Sequence, residues 1–503
     1  MKYILGVDLG TTAIKAVVFN ENGKLCGSHT CEYTLLAPSA HMVELDAQSY
    51  IDTFRDAVCT TLKKAGIAAD AIVSLGISAQ GETLFFLDEN GQPIRNAIVW
   101  MDNRANEEAE ELERALGGRE IVHKTTGQIS MSATWPASKI FWVKKHEPEV
   151  FSKTKKFLLI EDYFIYLLTD RFVAEDSLLC STMLWDINTR RYWPEMLTLL
   201  GIKENQLPEI HHPGTPVRNI TPKGAKLFGL SEKTVVCLGA LDQACGAIGV
   251  GNVRPGIFSE STGAALATVA ITEQPVFDPA GEMPCFAGGI PSTYMIHSFS
   301  TGGMAMRWFR DTFCGNELEV ERVSGVNAYT LIDAMVESVP PGSDGMMILP
   351  HLQGSGPPDT NTQATGTFLG VTLAHKKAHF SRAIMEGVAM VLLRMKEATE
   401  ALGVNITEIR SLSGGAKSAA WCQIKADATG ILVRTMKNSE NAACLGAAIL
   451  AGTGTGIWDK IEDTADNFSE YDLEYTPNNE NKAIYDRMLE KYKMLIKEPE
   501  IYI

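Results

Sequence analysis

Residues 4–19, ILGVDLGTTAIKAVVF, restrict this chain more than any other stretch. An apolar run meets an aspartate, a glycine and two threonines, and a second apolar run follows at once. The pattern predicts a strand over Ile4–Val7, a turn over Asp8–Thr12 and a second strand over Ile14–Phe19, a buried hairpin with a polar tip. Asn-Gly in NENG (20–23) predicts another tight turn, because that pair tolerates the positive φ of primed hairpins. Downstream the same grammar recurs. IVSLGIS reads as a buried strand, and TLFFLDENGQPI as a strand with an Asn-Gly turn. Between them SYIDTFRDAVCTTLKKAG places Ile51, Phe54, Val58 and Leu62 at helical spacing, with Gly66 to end the helix. Helices alternating with buried strands predict an α/β layered architecture.

At 503 residues the chain exceeds what one core usually serves, so two domains are expected. The second half restarts in the style of the first. VVCLGALDQACGAIGVG (235–251) reads as a strand, a glycine-rich turn and a helix or loop of small residues. GIFSESTGAALATVAI (256–271) is again strand, turn, strand, with Ser-Thr-Gly at the turn. The expected division is 1–250 and 251–503, two related halves. GTGTG (452–456) reads as a loop that ends an alanine-rich helix. A closing helix is expected from about 480, with Ile484, Met488, Tyr492 and Leu495 on one face.

The formal charge of −16 repels phosphate backbones and anionic lipids, against a nucleic-acid or membrane-surface role. No apolar run reaches the length of a membrane span. The 10 cysteines form no CxxC pair and no zinc-type cluster, so they read as reduced thiols of a cytosolic protein without a secretory signal.

Four places can carry chemistry. At the first turn, Gly10 lets backbone approach a ligand, successive amides cradle an anion, and Thr11 and Thr12 add donors. Asp8 beside a polyphosphate makes sense on the side of a Mg²⁺ ion, acting through water. Gly414 and Gly415 open GGAKSAAWCQIKADATG as the N-terminus of a helix, a positive end suited to a nucleotide. No G-x-x-x-x-G-K-[ST] sequence occurs, so this is not a P-loop. Asp242 and Gln243 end an apolar strand, where acidic residues of α/β proteins face the ligand; Asp242 is the candidate base for phosphoryl transfer to an alcohol. Trp100, Asp102 and Arg104 in AIVWMDNRA offer an aromatic face, a carboxylate and a guanidinium to a polyol.

Together, GVDLGTTAIKAVVF, GISAQGETLFFLDENGQPI, AIVWMDNRA, GALDQACGAIGVG, STGAALA, TGGMAMRWFRD, GTFLGVTLAH and SGGAKSAAWCQIKADATG resemble, in order, the FGGY carbohydrate kinases of the actin-like ATPase superfamily. The resemblance implies two RNase-H-like (actin/hexokinase-type) domains closing on ATP and a sugar. It implies Gly10, Thr11, Thr12, Lys15, Thr262, Gly263, Gly303, Arg307, Gly414, Gly415 and Ala419 as nucleotide-binding positions. Gln80, Glu82, Trp100, Asp102, Arg104 and Gln243 are implied as sugar contacts, Asp242 as the catalytic base, and Asp8 and Asp242 as the Mg²⁺ side. A homodimer is a further implication. Gly81 stands where glycerol kinases carry Arg, and the Met-His of xylulokinases is absent near it. Trp100-Met-Asp-Asn-Arg104 nevertheless looks xylulokinase-like. A ketopentose such as xylulose is the leading substrate; another ketose, glycerol or erythritol, or a nucleotide-gated binder of Hsp70 type, are the alternatives.

Overall fold

The computed structural model describes residues 2–497. The chain divides into two compact units. The first comprises Met1–Val253, Thr272–Met295 and Asn441–Ser469; the second comprises Arg254–Ile271, Ile296–Glu440 and Glu470–Ile503.

The main sheet of the first unit runs in the order Pro216–Asn219, Val235–Leu241, Ile72–Ala79, Tyr3–Leu9, Ala13–Asn20, Leu25–Glu32. Tyr3–Leu9 and Val235–Leu241 lie parallel to Ile72–Ala79, and the outer pairs are antiparallel. The first strand is longer than its apolar run. Asp8 stays within it, paired across the sheet with Lys15 on one side and Ser78 on the other, so the turn is confined to residues 10–12. Helix Ala47–Ala65 forms as its spacing predicts. Asp46 caps it by accepting the Ser49 N–H at 2.7 Å, and Gly66 ends it with a left-handed φ of 66°.

Helix Ala442–Gly454 returns to this first unit. It runs through the first glycines of GTGTG, which is therefore helix end rather than loop. Its small residues let backbone press on backbone. A Cβ on Gly6 would lie 1.9 Å from Cys444 O, one on Gly76 2.1 Å from Ala447 O, and one on Gly446 1.9 Å from Cys245 O. Cys444, Ala448 and Ala451 thereby close a core with Ile4, Val17, Phe19 and Cys237.

In the second unit the strands follow as Tyr294–Thr301, Ala265–Thr272, Ile257–Thr262, Glu408–Leu412, Leu432–Met436, Tyr471–Tyr475. Ile257–Thr262 forms a hairpin with Ala265–Thr272 and lies parallel to Glu408–Leu412, which is parallel to Leu432–Met436; the Tyr471–Tyr475 edge is antiparallel. Hairpin, two parallel strands and an antiparallel edge is the plan of the first sheet, so the two halves repeat one α/β fold. The closing helix is Asn479–Leu495, and its buried stripe is Tyr485, Met488, Leu489 and Tyr492. The stripe is rotated from the expected one because both tyrosine hydroxyls find buried partners: Tyr485 bonds Glu386 at 3.0 Å, and Tyr492 bonds His351 at 2.7 Å. Among the described residues every cysteine is free, and no helix is long and apolar enough to cross a membrane.

Candidate active site

The first turn is held from behind. Gly10 N–H closes it on Ala13 O at 3.1 Å. Gly10 O accepts from Tyr33 Oη at 2.7 Å, Tyr50 Oη at 3.1 Å and Gln80 Nε2 at 3.3 Å. Tyr33 Oη also reaches Thr11 O, and the Tyr33 amide donates to Thr12 O at 3.1 Å. The carbonyls of the turn are thus consumed inside the protein. What remains for a ligand is amides and the exposed Thr12 side chain, which suits an anion. Thr11 Oγ1 accepts from Trp100 Nε1 at 2.9 Å and donates to Gln80 Oε1 at 3.2 Å, so the Thr11 hydroxyl is spent within the protein.

Asp8 is half-buried beside this turn and accepts from Ser78 Oγ at 2.8 Å. Burial pushes its carboxyl up, opposed by Ser78 and by the Lys15 charge. Asp242 is the first residue of helix Asp242–Gly249, directly after the parallel strand Val235–Leu241. Burial and the neighbouring Asp8 charge push its carboxyl up to about 7, with Glu82 adding to the shift; the Gln243 amide, 2.7 Å from Oδ1, works the other way. Among the described residues no set of three or more acidic, His or Cys side chains gathers as a metal cage. A two-carboxylate arrangement fits Mg²⁺, which takes one or two carboxylates and leaves its other positions to water or phosphate.

Glu82 holds a left-handed φ of 59°, an uncommon conformation for a residue with a side chain. The fully buried Lys139 fixes it by donating to Glu82 O at 2.9 Å. Burial pushes Glu82 up and Lys139 down, and the charge of each opposes the shift of the other. Asp102 and Arg104 are placed differently from the expected polyol contacts. Asp102 is 0 % exposed and accepts from the Val43 amide at 2.6 Å and from the Arg104 amide and guanidinium. The Arg104 guanidinium also donates to Glu44 at 2.9 Å and lies over the Trp142 ring. Their polar atoms are spent on this network, which anchors the segment that presents Trp100.

The second unit repeats the turn, with Gly263 N–H on Ala265 O at 2.9 Å. Beneath it lies a fully buried ion pair, Lys425 Nζ to Glu260 Oε1 at 2.6 Å. Lys425 also donates to Thr262 Oγ1 at 2.9 Å, and Thr262 donates to Glu260 Oε2 at 2.7 Å, so the Thr262 hydroxyl faces inward. Two glycines let other loops press against this turn. A Cβ on Gly415 would lie 2.5 Å from Thr262 Cβ, and one on Gly303 2.3 Å from Gly263 O. Gly414 and Gly415 lie in a short 3-10 turn, and the helix proper starts at the exposed Ala419, capped by Ser418. Ser413, just before, takes φ 64°, with its hydroxyl 2.6 Å from that of Ser261. Arg307 is exposed on helix Met304–Phe313, one turn beyond Gly303.

Tyr33, Tyr50, Lys139, Glu260 and Lys425 escaped the sequence reading. Glu260 carried a signal, an acid inside the apolar strand GIFSES, which demands a buried partner. The tyrosines carried none, since each acts on a turn distant in sequence.

The FGGY family of carbohydrate kinases matches by its N-terminal domain over residues 3–249 and by its C-terminal domain over 261–455. A xylulose kinase of Bacillus subtilis is 31% identical over 494 residues, covering 98% of this chain and 96% of its own. A gluconokinase of Bacillus licheniformis is 29% identical over 489 residues, covering 97% and 94%. The crystal structure of a ligand-bound xylulose kinase from Lactobacillus acidophilus superposes with a TM-score of 0.89 at 26% identity, covering 98% of this chain and 97% of that one. With both domain families matched along most of its length, the chain belongs to the FGGY family of carbohydrate kinases, and is an ATP-dependent sugar kinase.

Proposed function

We propose that this kinase phosphorylates a primary hydroxyl of a small ketose, with a ketopentose such as xylulose first, and that Asp242 is its base. The carrying observation is the place of Asp242: at the end of a parallel strand, half-buried, and within the field of Asp8. In this reading the Asp242 carboxylate takes the hydroxyl proton as the sugar oxygen attacks the γ-phosphorus. The bond from that phosphorus to the bridging oxygen breaks, and ADP leaves. Asp8 and Asp242 would hold Mg²⁺, which when bound offsets the charge of the phosphates. In the first unit the amides of Thr11 and Thr12 donate to phosphate oxygens, Gly10 lets the ligand approach the backbone closely, and Lys15 adds positive charge nearby. In the second unit the turn at Thr262 and Gly263, with Gly303, Arg307, Gly414, Gly415 and Ala419, serves the nucleotide. Gln80, Glu82, Trp100 and Gln243 serve the sugar, and Asp102 with Arg104 supports Trp100 from behind.

The substrate class is supported by the xylulose kinase relative and by the Trp100–Arg104 stretch. A second reading, an aldonate acceptor, is favoured by the gluconokinase relative. The deciding experiment is ADP release from Mg-ATP across D-xylulose, L-xylulose, D-ribulose, L-fuculose, erythrulose, erythritol, glycerol and gluconate, with a blank. Strong stimulation by one ketose supports the proposal and names the substrate. Stimulation by gluconate, erythritol or glycerol alone, or a flat panel with slow sugar-independent hydrolysis, overturns it.

A further inference from the structure

The strand that carries Asp242 does not run straight. Against its parallel neighbour Ile72–Ala79, Cys237 faces Gly76 and Ala240 faces Ser78, so Leu238 and Gly239 stand opposite Ile77 alone. Such an extra residue bends the strand, increases its local twist and breaks the ladder, which re-aims whatever follows. A Cβ on Gly239 would fall 1.6 Å from Ile77 O, so the bend admits only glycine.

Side chains hold backbone amides at the bulge and just beyond it. Gly239 N–H donates to Glu161 Oε1 at 2.7 Å, and Leu241 N–H donates to Ser177 Oγ at 2.9 Å. Ser177 Oγ donates onward to Glu175 Oε1 at 2.8 Å, and Glu175 also accepts the Ser177 and Leu178 amides at 2.7 Å each. Glu161, Glu175 and Ser177 are all 0 % exposed. Glu161 is an expensive choice for such a place. Its Oε2 has no hydrogen-bond partner among the described residues, and burial pushes its carboxyl well up. An apolar side chain of similar volume would serve the core better. A buried acid kept for one backbone amide, three residues before the candidate base, points to geometry rather than stability.

We propose that Glu161 and Ser177 are positioning residues for Asp242: they hold one amide at the bulge and one between it and Asp242, and so set the direction in which the strand end presents the Asp242 carboxylate. The proposal rests on Asp242 being the base. The test compares Glu161→Ala, Glu161→Gln, Ser177→Ala and Ser177→Thr with Asp242→Asn, using the acceptor that the panel identifies. Glu161→Ala should lower kcat by about a hundredfold, the scale expected of a small misplacement of a reacting group. KM for the sugar and the Kd of ATP should change far less than kcat, since most of the proposed binding positions lie outside this strand end. Glu161→Gln should recover most of the rate, because its amide oxygen accepts the same bond from Gly239. Ser177→Ala should repeat the loss and Ser177→Thr the recovery, and the serine pair decides the question if Glu161→Ala does not fold. Wild-type kcat in the alanine variants, a loss carried by KM, or a glutamine variant as slow as the alanine one would overturn the proposal. Asp242→Asn reports separately: if it turns over normally, the assignment of the base has failed, whatever the other variants show.

Discussion

Trp100 Nε1 donates to Thr11 Oγ1 at 2.9 Å, so the stretch 97–105 is tied by one hydroxyl to the turn at residues 10–12. Trp100→Phe keeps the aromatic face and removes the donor. It should lower kcat/KM for ATP by roughly two- to tenfold, the worth of one net hydrogen bond. Steady-state kinetics at saturating sugar measures this, and an unchanged KM for ATP would show that Thr11 keeps its place without the indole.

Asp242→Asn preserves shape and removes the proton acceptor. Its kcat should fall by about 10²–10⁴-fold, the usual contribution of a general base. Calorimetric titration should still show ATP binding, because the nucleotide positions proposed in the second unit are untouched. Near-normal turnover would remove Asp242 from the mechanism.

Gly415 lies against the second turn, where an added Cβ would be 2.5 Å from Thr262 Cβ. Both atoms are rigidly attached to backbone, so Gly415→Ala must move a loop. The expected cost is about 1–3 kcal/mol in stability, with weaker ATP binding, read by thermal shift with and without nucleotide. A variant that melts and binds as the wild type does would mean that the loop yields freely.

The Glu260–Lys425 pair is sealed from water, with both side chains 0 % exposed. Lys425→Met strands the Glu260 carboxylate and should cost about 3–5 kcal/mol. Adding Glu260→Leu should recover much of that stability, since an apolar pair needs no desolvation to be offset. Urea midpoints of the wild type and the two variants check the pattern; equal losses in the single and double variants would contradict it.

Asp162 reaches back from the first turn of helix Ile160–Thr169 to the Leu159 amide at 2.8 Å, while its other oxygen is buried without a partner among the described residues. Burial raises its carboxyl to about 7, above its value in the unfolded chain, so the folded protein keeps a proton that the unfolded one has lost. The contribution to stability is therefore full below about pH 4 and is lost as pH rises through about 7. Asp162→Asn keeps the acceptor and abolishes the titration. Its stability relative to wild type should rise between pH 5 and 8, by at most about 4 kcal/mol. A constant difference across that range would show that Asp162 does not titrate there.

Several features were legible because their causes are local. The hairpin at residues 3–20, the cap and stop of helix Ala47–Ala65, and the strand end bearing Asp242 follow from alternation, turn chemistry and spacing over a few positions. The Ser-Thr-Gly turn announced the second half for the same reason. The closing helix was visible as a helix, but its buried face was set by Glu386 and His351, which its own sequence does not contain.

By itself, then, the sequence determined the repeated strand–turn–strand units, the carboxylates and glycines at their tips, and the family to which their order points. What holds those tips in place comes from segments far away in the chain. Tyr33 and Tyr50 grip the Gly10 carbonyl, Glu161 reaches the bulge 78 positions away, Lys425 meets Glu260 across 165 positions, and residues 441–469 return to complete the first unit. Asp102 and Arg104 show the same division: their types suggest ligand contacts, but burial and the Glu44 and Val43 partners bind them into the scaffold. The physical reason is range. Dihedral preference and side-chain periodicity act between near neighbours and are written in short patterns. The partner of a buried polar group is chosen when distant segments close on one another, and no local pattern encodes it.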